Sequence, residues 1–426
     1  MSAQSVARAT SLHGSLRVPG DKSASHRALM LSALASGEST IVGLSPGRDV
    51  ASTSAIMILL GAQRSDGDES VRILGPDAGL MTTASVLDCG NSGTTMRLLA
   101  GLVSGVAGTH TLVGDESLST RPMDRVAEPL TLMGARVTGE GERVTAPLRI
   151  EGLTTLRAIE YDVPVASAQV KSAILFAGLV ASGPTSVHER ALTRTTTEDM
   201  FRQAGLIVHS VDDAEGRVVT LDPGRPTATE WIIPGDPSQA AFFAVLGAIH
   251  DCAVLEVLNV DASPQRIGFV EVLQRMGAAL TLAPTPDGVS LHVQSSELSA
   301  TDISSSEIPS VDEVPILAVA AAAATGVSAF RDMAELRLKE SDRFNGSMEL
   351  ARSLGCRVWD EGHDFFVEGL GSATAFQPFE VDAGLDHRMV MASAVAGCAG
   401  AGCTINGVDT VSSSYPGFFI DLASLS

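Results

Sequence analysis

The chain has 426 residues, 45% of them apolar and 19% charged, with a formal net charge of −21 and an isoelectric point near 4.7. That length suits two or three domains, and the apolar share fills a sizeable core, which excludes a mainly disordered chain. The acidity disfavours nucleic-acid binding, which needs a basic footprint, and 4% aromatic residues leave few platforms for base stacking.

The opening MSAQSVARAT holds no apolar signal core. From Ser23 onward, an Ala-rich helical run with a polar start recurs six times. The runs are SASHRALMLSALASG (Ser23), NSGTTMRLLAGLVSG (Asn91), SAQVKSAILFAGLVASG (Ser167), SQAAFFAVLGAI (Ser238), DEVPILAVAAAAATG (Asp312) and DHRMVMASAVAG (Asp386). Each is followed by a short β-branched stretch that reads as a strand: STIVGL, THTLVG, TSVHE, AVLEVLNV, VSAF and CTINGV. A second helix then closes on a small-residue signature in five copies, as in MILLGAQ, PLTLMGARV, MFRQAGLIV, VLQRMGAAL and ARSLGCRV, and a strand follows the glycine. The period predicts six helix–strand–helix–strand units, the sixth cut short. The first helix of each unit is apolar nearly all round and is expected to be buried beneath sheets in a mixed α/β architecture. DPGRPTATEWIIPGDPSQ, with four prolines between the third and fourth copies, marks the break between halves.

The longest apolar stretch, Ile316 to Ala324, is far short of the roughly 20 residues of a membrane helix. A cytoplasmic protein without membrane contact is expected. Cys89, Cys252, Cys356, Cys398 and Cys403 are scattered, odd in number and without a CxxC, so they read as small buried residues. The histidines form no HxxxH or HExxH pair, so no metal site is expected.

Polar residues cluster at the starts of the six runs. They are Lys22, Ser23, Ser25 and Arg27; Asn91, Gly93, Thr94 and Arg97; Ser167, Gln169 and Lys171; Asp236, Ser238 and Gln239; Asp312 and Glu313; and Asp386, His387 and Arg388. Ser, Thr, Asn and Asp there are ordinary helix caps when taken singly. Lys and Arg oppose the helix dipole at that end unless an anion joins them. Lys22, Arg27, Lys171 and Arg388 therefore predict an anion site, with parallel helices gathering their starts at one face of each domain and the two domains closing a cleft. GDESLSTRPMDR adds Arg121 and Arg125. ELRLKESDR adds Arg337, Lys339 and Arg343 among acids, and on its own reads as a solvated helix with i,i+4 ion pairs. The chain has three lysines (Lys22, Lys171, Lys339) against 26 arginines, and all three fall in these segments. A multiply anionic small substrate fits this pattern. GxxxxGK[ST], a GxGxxG after a strand and the GxSxG elbow are absent, so nucleotide and serine-hydrolase chemistry are unsupported.

LRVPGDKSASHRALML, LDCGNSGTTMRLLAGL, GDESLSTRPM, SAQVKSAILFAGL, PGDPSQAAFF, ELRLKESDR and DHRM, in this order and spacing, resemble the 5-enolpyruvylshikimate-3-phosphate synthase family from end to end. GDKSASHR, ESLSTRPM and SAQVKSA look more like its class II bacterial branch than its plant and enteric one. The resemblance implies a two-domain enolpyruvyl transferase fold, each domain three copies of a βαβαββ unit with parallel inner helices. The domains would be 21–234, and 1–20 with 235–426. It implies that the 5-hydroxyl of shikimate 3-phosphate attacks C2 of phosphoenolpyruvate while C3 is protonated, and that the tetrahedral intermediate loses phosphate. No cofactor and no metal are implied, and a monomer is expected.

By motif, the resemblance assigns Lys22 to both substrates and to proton transfer. Ser23, Arg27, Ser167, Arg194 and Lys339 would hold shikimate 3-phosphate, with Gln169 reaching both ligands. Asp312 would be the base that takes the 5-hydroxyl proton and would contact shikimate 3-phosphate, and Glu340 the acid near C3. Gly93, Arg121, Arg343 and Arg388 would form the phosphoenolpyruvate pocket. Three positions depart from the other branch: Ala168 replaces a serine, Ser413 a lysine and Glu335 an asparagine. UDP-N-acetylglucosamine enolpyruvyl transferases share the implied fold and donor, but their loop carries a reactive Cys where Glu116 stands here. A non-catalytic phosphometabolite binder would be expected to lose Lys22, Asp312 or Glu340, and all three are present.

Overall fold

A computed structural model describes residues 2–426. The chain forms two compact units. One is Lys22–Ile233; the other joins the residues through Asp21 to Pro234–Ser426. Each encloses its own hydrophobic core.

The six Ala-rich runs are the helices Lys22–Leu34, Gly93–Ser104, Ala168–Gly178, Pro237–Ile249, Val314–Ala323 and His387–Ala399. Alanine and leucine favour helix, and a polar residue ahead of the run satisfies an otherwise free N–H. The Thr95 N–H donates to Ser92 at 3.0 Å, Val170 N–H to Ser167 at 3.3 Å, Ser238 N–H to Asp236 at 2.9 Å and Arg388 N–H to Asp386 at 2.9 Å. Every residue of Pro237–Ile249 is buried, as an all-round apolar helix requires. Gly101 lets two inner helices touch: a Cβ there would lie 2.0 Å from the Ala173 carbonyl oxygen.

The small-residue signature is a helix stop. After Arg48–Leu59, Gly61 takes a φ of 108°, its N–H reaches the Ile58 carbonyl, and the Ala62 N–H reaches the Met57 carbonyl. The same paired closure recurs at Gly134, Gly205, Gly277 and Gly355, all left-handed. Glycine enters that region without a Cβ penalty.

Each of the first five repeats carries two more strands than the period alone predicted, which makes it the βαβαββ unit. A short strand enters the inner helix, and a hairpin closes the unit. In the second repeat the sheet order is Leu87–Asp88, Gly108–Val113, Thr145–Gly152, Arg136–Glu140. The first pair is parallel and the others antiparallel. Parallel neighbours need a crossover, and the inner helix is that crossover. The entering strand has only two residues in this repeat, too few for an alternating pattern to stand out.

Two sheets exchange their entering strands. Leu12–Leu16 leads into the helix Lys22–Leu34 yet pairs with Ala253–Val260. Glu230–Ile232 leads into Pro237–Ile249 yet pairs with Glu38–Val42. The sixth sheet lacks a hairpin, and Ala3–Val6 pairs with Cys403–Asn406 in its place. All five cysteines are free, but Cys252 is exposed rather than buried, because it sits in the turn between Pro237–Ile249 and Ala253–Val260. Among the described residues no helix is long and apolar enough to cross a membrane.

Candidate active site

In the unit Lys22–Ile233, the starts of the three inner helices are tied side chain to side chain. Arg27 donates from Nε to Thr197 Oγ1 and from Nη2 to Ser172 Oγ, each at 2.7 Å. Arg97 Nη1 donates to Gln169 Oε1 at 2.8 Å, and Gln169 Nε2 to Thr94 Oγ1 at 2.9 Å. Arg194 Nη1 donates to Ser23 Oγ at 3.1 Å. Arg121, nearly buried, donates from Nη2 to Asn91 Oδ1 at 2.9 Å and to Ser117 Oγ at 3.0 Å. Ser167 caps its helix. Gly93 lies under two guanidinium tips, since a Cβ there would meet Arg97 Nη1 at 2.7 Å and Arg121 Nη1 at 3.2 Å. Lys22 Nζ pairs with Asp49 Oδ2 at 2.9 Å. Cations and helix N-termini thus converge, which is chemistry for an anion. His26 takes no part: its Nδ1 shares a 2.7 Å hydrogen bond with Thr53 Oγ1 in the core. Burial, then Lys22 and Arg27, hold its pKa well below the usual value and keep the ring neutral.

The other unit gathers a second cluster. Arg343 is fully buried and donates from Nε to Asp386 Oδ2 at 2.7 Å and from Nη1 to Asp312 Oδ1 at 2.9 Å. Its Nη2 lies 2.6 Å from Glu340 Oε2. Arg388 Nη2 approaches Asp312 Oδ2 at 3.3 Å. Burial pushes the Asp312 carboxyl up, but Arg388, Lys339 and Arg343 outweigh it, so the group sits well below the usual carboxylate range. Asp386 is likewise lowered: burial opposes ionisation, and Arg343 overcomes it. Side-chain exposure separates the acids. Asp312 keeps 21% and Glu340 20%, whereas Asp386 has 0%. Asp312 and Glu340 can meet a substrate; Asp386 caps a helix and holds Arg343.

Two expectations are corrected. Lys171 is no anion ligand: its ammonium is fully buried between Glu189 at 2.7 Å and Glu198 at 2.6 Å. ELRLKESDR is not one solvated helix. A 3-10 turn over Ala334–Leu338 ends at an extended Lys339, and the helix Arg343–Ser353 starts anew, capped by Asp342. Three carboxylates draw Arg343 inward, away from solvent. The sequence alone did not single out Asp49 or Ser117. Asp49 is an acid in the first turn of an outer helix, an ordinary capping position that carries no sign of its Lys22 partner. Among the described residues no group of three or more His, Cys, Asp or Glu side chains could hold a metal ion.

A family model described as EPSP synthase (3-phosphoshikimate 1-carboxyvinyltransferase) matches residues 6–422. The chain is 44% identical over 428 residues to a 3-phosphoshikimate 1-carboxyvinyltransferase of Synechococcus sp. (strain RCC307), covering 97% of each chain. A protein of the same name from Bacillus cereus (strain ATCC 10987 / NRS 248) is 40% identical over 423 residues, again with 97% of each covered. Among solved structures, an EPSP synthase from Acinetobacter baumannii superposes with a TM-score of 0.86 at 37% identity, over 99% of this chain and 97% of that one. The enolpyruvyl transferase NikO from Streptomyces tendae shares the fold, with a TM-score of 0.78 at 18% identity over 99% and 96% of the two chains.

Proposed function

Because this chain belongs to the EPSP synthase family and transfers the enolpyruvyl group of phosphoenolpyruvate to shikimate 3-phosphate, we propose the following division of labour among its side chains. Ser23, Arg27, Ser167, Gln169 and Arg194 hold shikimate 3-phosphate, joined by Lys339. Gly93, Arg121, Gln169, Arg343 and Arg388 hold phosphoenolpyruvate. Lys22 touches both substrates and moves a proton.

Asp312 accepts the 5-hydroxyl proton, and Glu340 serves the proton that enters at C3. The observation that carries this assignment is the paired 21% and 20% exposure of two carboxylates that share Arg343. Asp312 is ionised at neutral pH, as a base has to be. Arg343 and Arg388 flank it, so negative charge developing during addition meets fixed cations. The tetrahedral intermediate then expels phosphate. The catalyst works as a cytoplasmic monomer without cofactor, and its two domains are 21–234, and 1–20 with 235–426.

Phosphate release from the purified protein tests the reading. Release from phosphoenolpyruvate is expected only when shikimate 3-phosphate is present. Release that instead requires UDP-N-acetylglucosamine would overturn it.

A further inference from the structure

The enolpyruvyl transfer makes no use of Lys171, yet its placement is costly. The side chain is fully buried on the inner helix Ala168–Gly178. Its ammonium donates to Glu189 Oε2 at 2.7 Å and to the Arg194 backbone carbonyl at 3.2 Å, and it lies 2.6 Å from Glu198 Oε1 in an ion pair. Burying ions rarely gains stability over an apolar core of equal volume. The bond to the Arg194 carbonyl supplies a reason for keeping them.

Glu189 ends the strand Thr185–Glu189, and Glu198 lies in the first turn of the helix Thr196–Gln203. The segment between them carries Arg194. Lys171 therefore grips this segment at its start, in its middle and just past its end. Thr193 ties it again through a hydroxyl bond to Glu189 Oε1. The Arg194 guanidinium, held at its own carbonyl, points to Ser23 Oγ at 3.1 Å. The flanking residues serve the same end. Ser172, next to Lys171, and Thr197, next to Glu198, are the two hydroxyls that fix Arg27.

We propose that Lys171 is a positioning residue for the phosphate end of shikimate 3-phosphate. It holds the segment 190–198 so that Arg194 and Arg27 present a preformed anion site, and it never touches the ligand. This rests on the assignment of Ser23, Arg27 and Arg194 to that substrate.

The test is a charge-free cluster, Lys171→Met with Glu189→Gln and Glu198→Gln, which leaves no orphaned carboxylate. It is compared with Arg194→Ala and with the two combined, by steady-state phosphate release with each substrate varied in turn. The cluster variant should raise the KM for shikimate 3-phosphate on the order of tenfold, the scale of a misaligned charge-assisted hydrogen bond. Its kcat and its KM for phosphoenolpyruvate should stay within about twofold. In the Arg194→Ala background the cluster change should add almost nothing, because both act through one guanidinium. Multiplying effects would assign Lys171 a merely structural role and overturn the proposal, as would an unchanged KM in a folded cluster variant. Arg194→Ala with an unchanged KM would instead remove the ligand assignment, a separate failure. Should melting curves show the cluster variant unfolded, Thr193→Val releases one tie alone. It should raise the same KM by a smaller factor, and no rise overturns the proposal.

Discussion

Replacing Arg343 by Met strips a buried guanidinium from three carboxylates at once. Asp386 loses contacts at 2.7 and 3.1 Å, Glu340 one at 2.6 Å and Asp312 one at 2.9 Å. Asp386 has no exposed side-chain surface from which water could compensate. Removing one member of a buried pair costs about 3–5 kcal/mol. For a unit of roughly 200 residues each kcal/mol lowers Tm by about 2–4 °C, so a fall of about 6–20 °C at pH 7 is expected. The pH dependence gives a second reading. In the parent protein Asp312 and Asp386 sit below their unfolded values. Their contribution is whole above about pH 4 and is lost only as pH falls through the lowered folded values. In the variant, unpaired burial lifts Asp386 above its unfolded value, so its penalty is largest at neutral pH and fades as the carboxyl takes up a proton. Calorimetry at pH 7 and pH 5 should show the Tm gap narrowing on acidification. A fall under about 2 °C at pH 7, or a gap indifferent to pH, would refute the reasoning.

Asp312→Asn keeps the volume but removes the acceptor, and kcat should fall about 10²–10⁴-fold with little change in the KM for shikimate 3-phosphate; an unaltered kcat in stopped assays would remove Asp312 as base. Lys22→Met should abolish turnover while the protein still folds, with a Tm loss no larger than that of Arg343→Met, because Lys22 keeps more exposed surface and is paired with Asp49; turnover near the parent's would sink its proton-transfer role. Gly93→Ala should fold, since its Cβ meets only movable guanidinium tips. Displacing Arg97 and Arg121 should raise the KM for phosphoenolpyruvate, and an unchanged value in initial-rate kinetics would count against that pocket.

The inner helices were legible because alanine content and polar starts agree in every copy. The glycines that stop the second helices were legible for the same local reason. The two exchanged entering strands were not, because partners far along the chain define them: nothing near Leu12–Leu16 names Ala253–Val260 as its neighbour. The cations at helix starts were visible as violations of the dipole rule, and all six predicted substrate-binding residues in 22–233 beside Lys22 and Gly93 are joined there by side-chain hydrogen bonds or caps. The rule could not say which cation faces a ligand. Lys171 and Lys22 read alike in sequence, and only the fold brings Glu189 and Glu198 around one and Asp49 beside the other.

The strand exchange imposes a schedule on biosynthesis. Val6 waits for Cys403, and Leu12 for Ala253. At about 5–20 residues per second a ribosome needs about 20–80 s to span the roughly 400 residues of the longer interval. Within that time Lys22–Ile233 acquires every strand of its own sheets, the last being Glu230–Ile232. The first strands to emerge are thus among the last to pair. For tens of seconds they are open edges of the kind that recruits other chains. Their brevity, four and five residues, and the polar Gln4, Ser5, His13 and Ser15 within them keep that wait from becoming a route to aggregation.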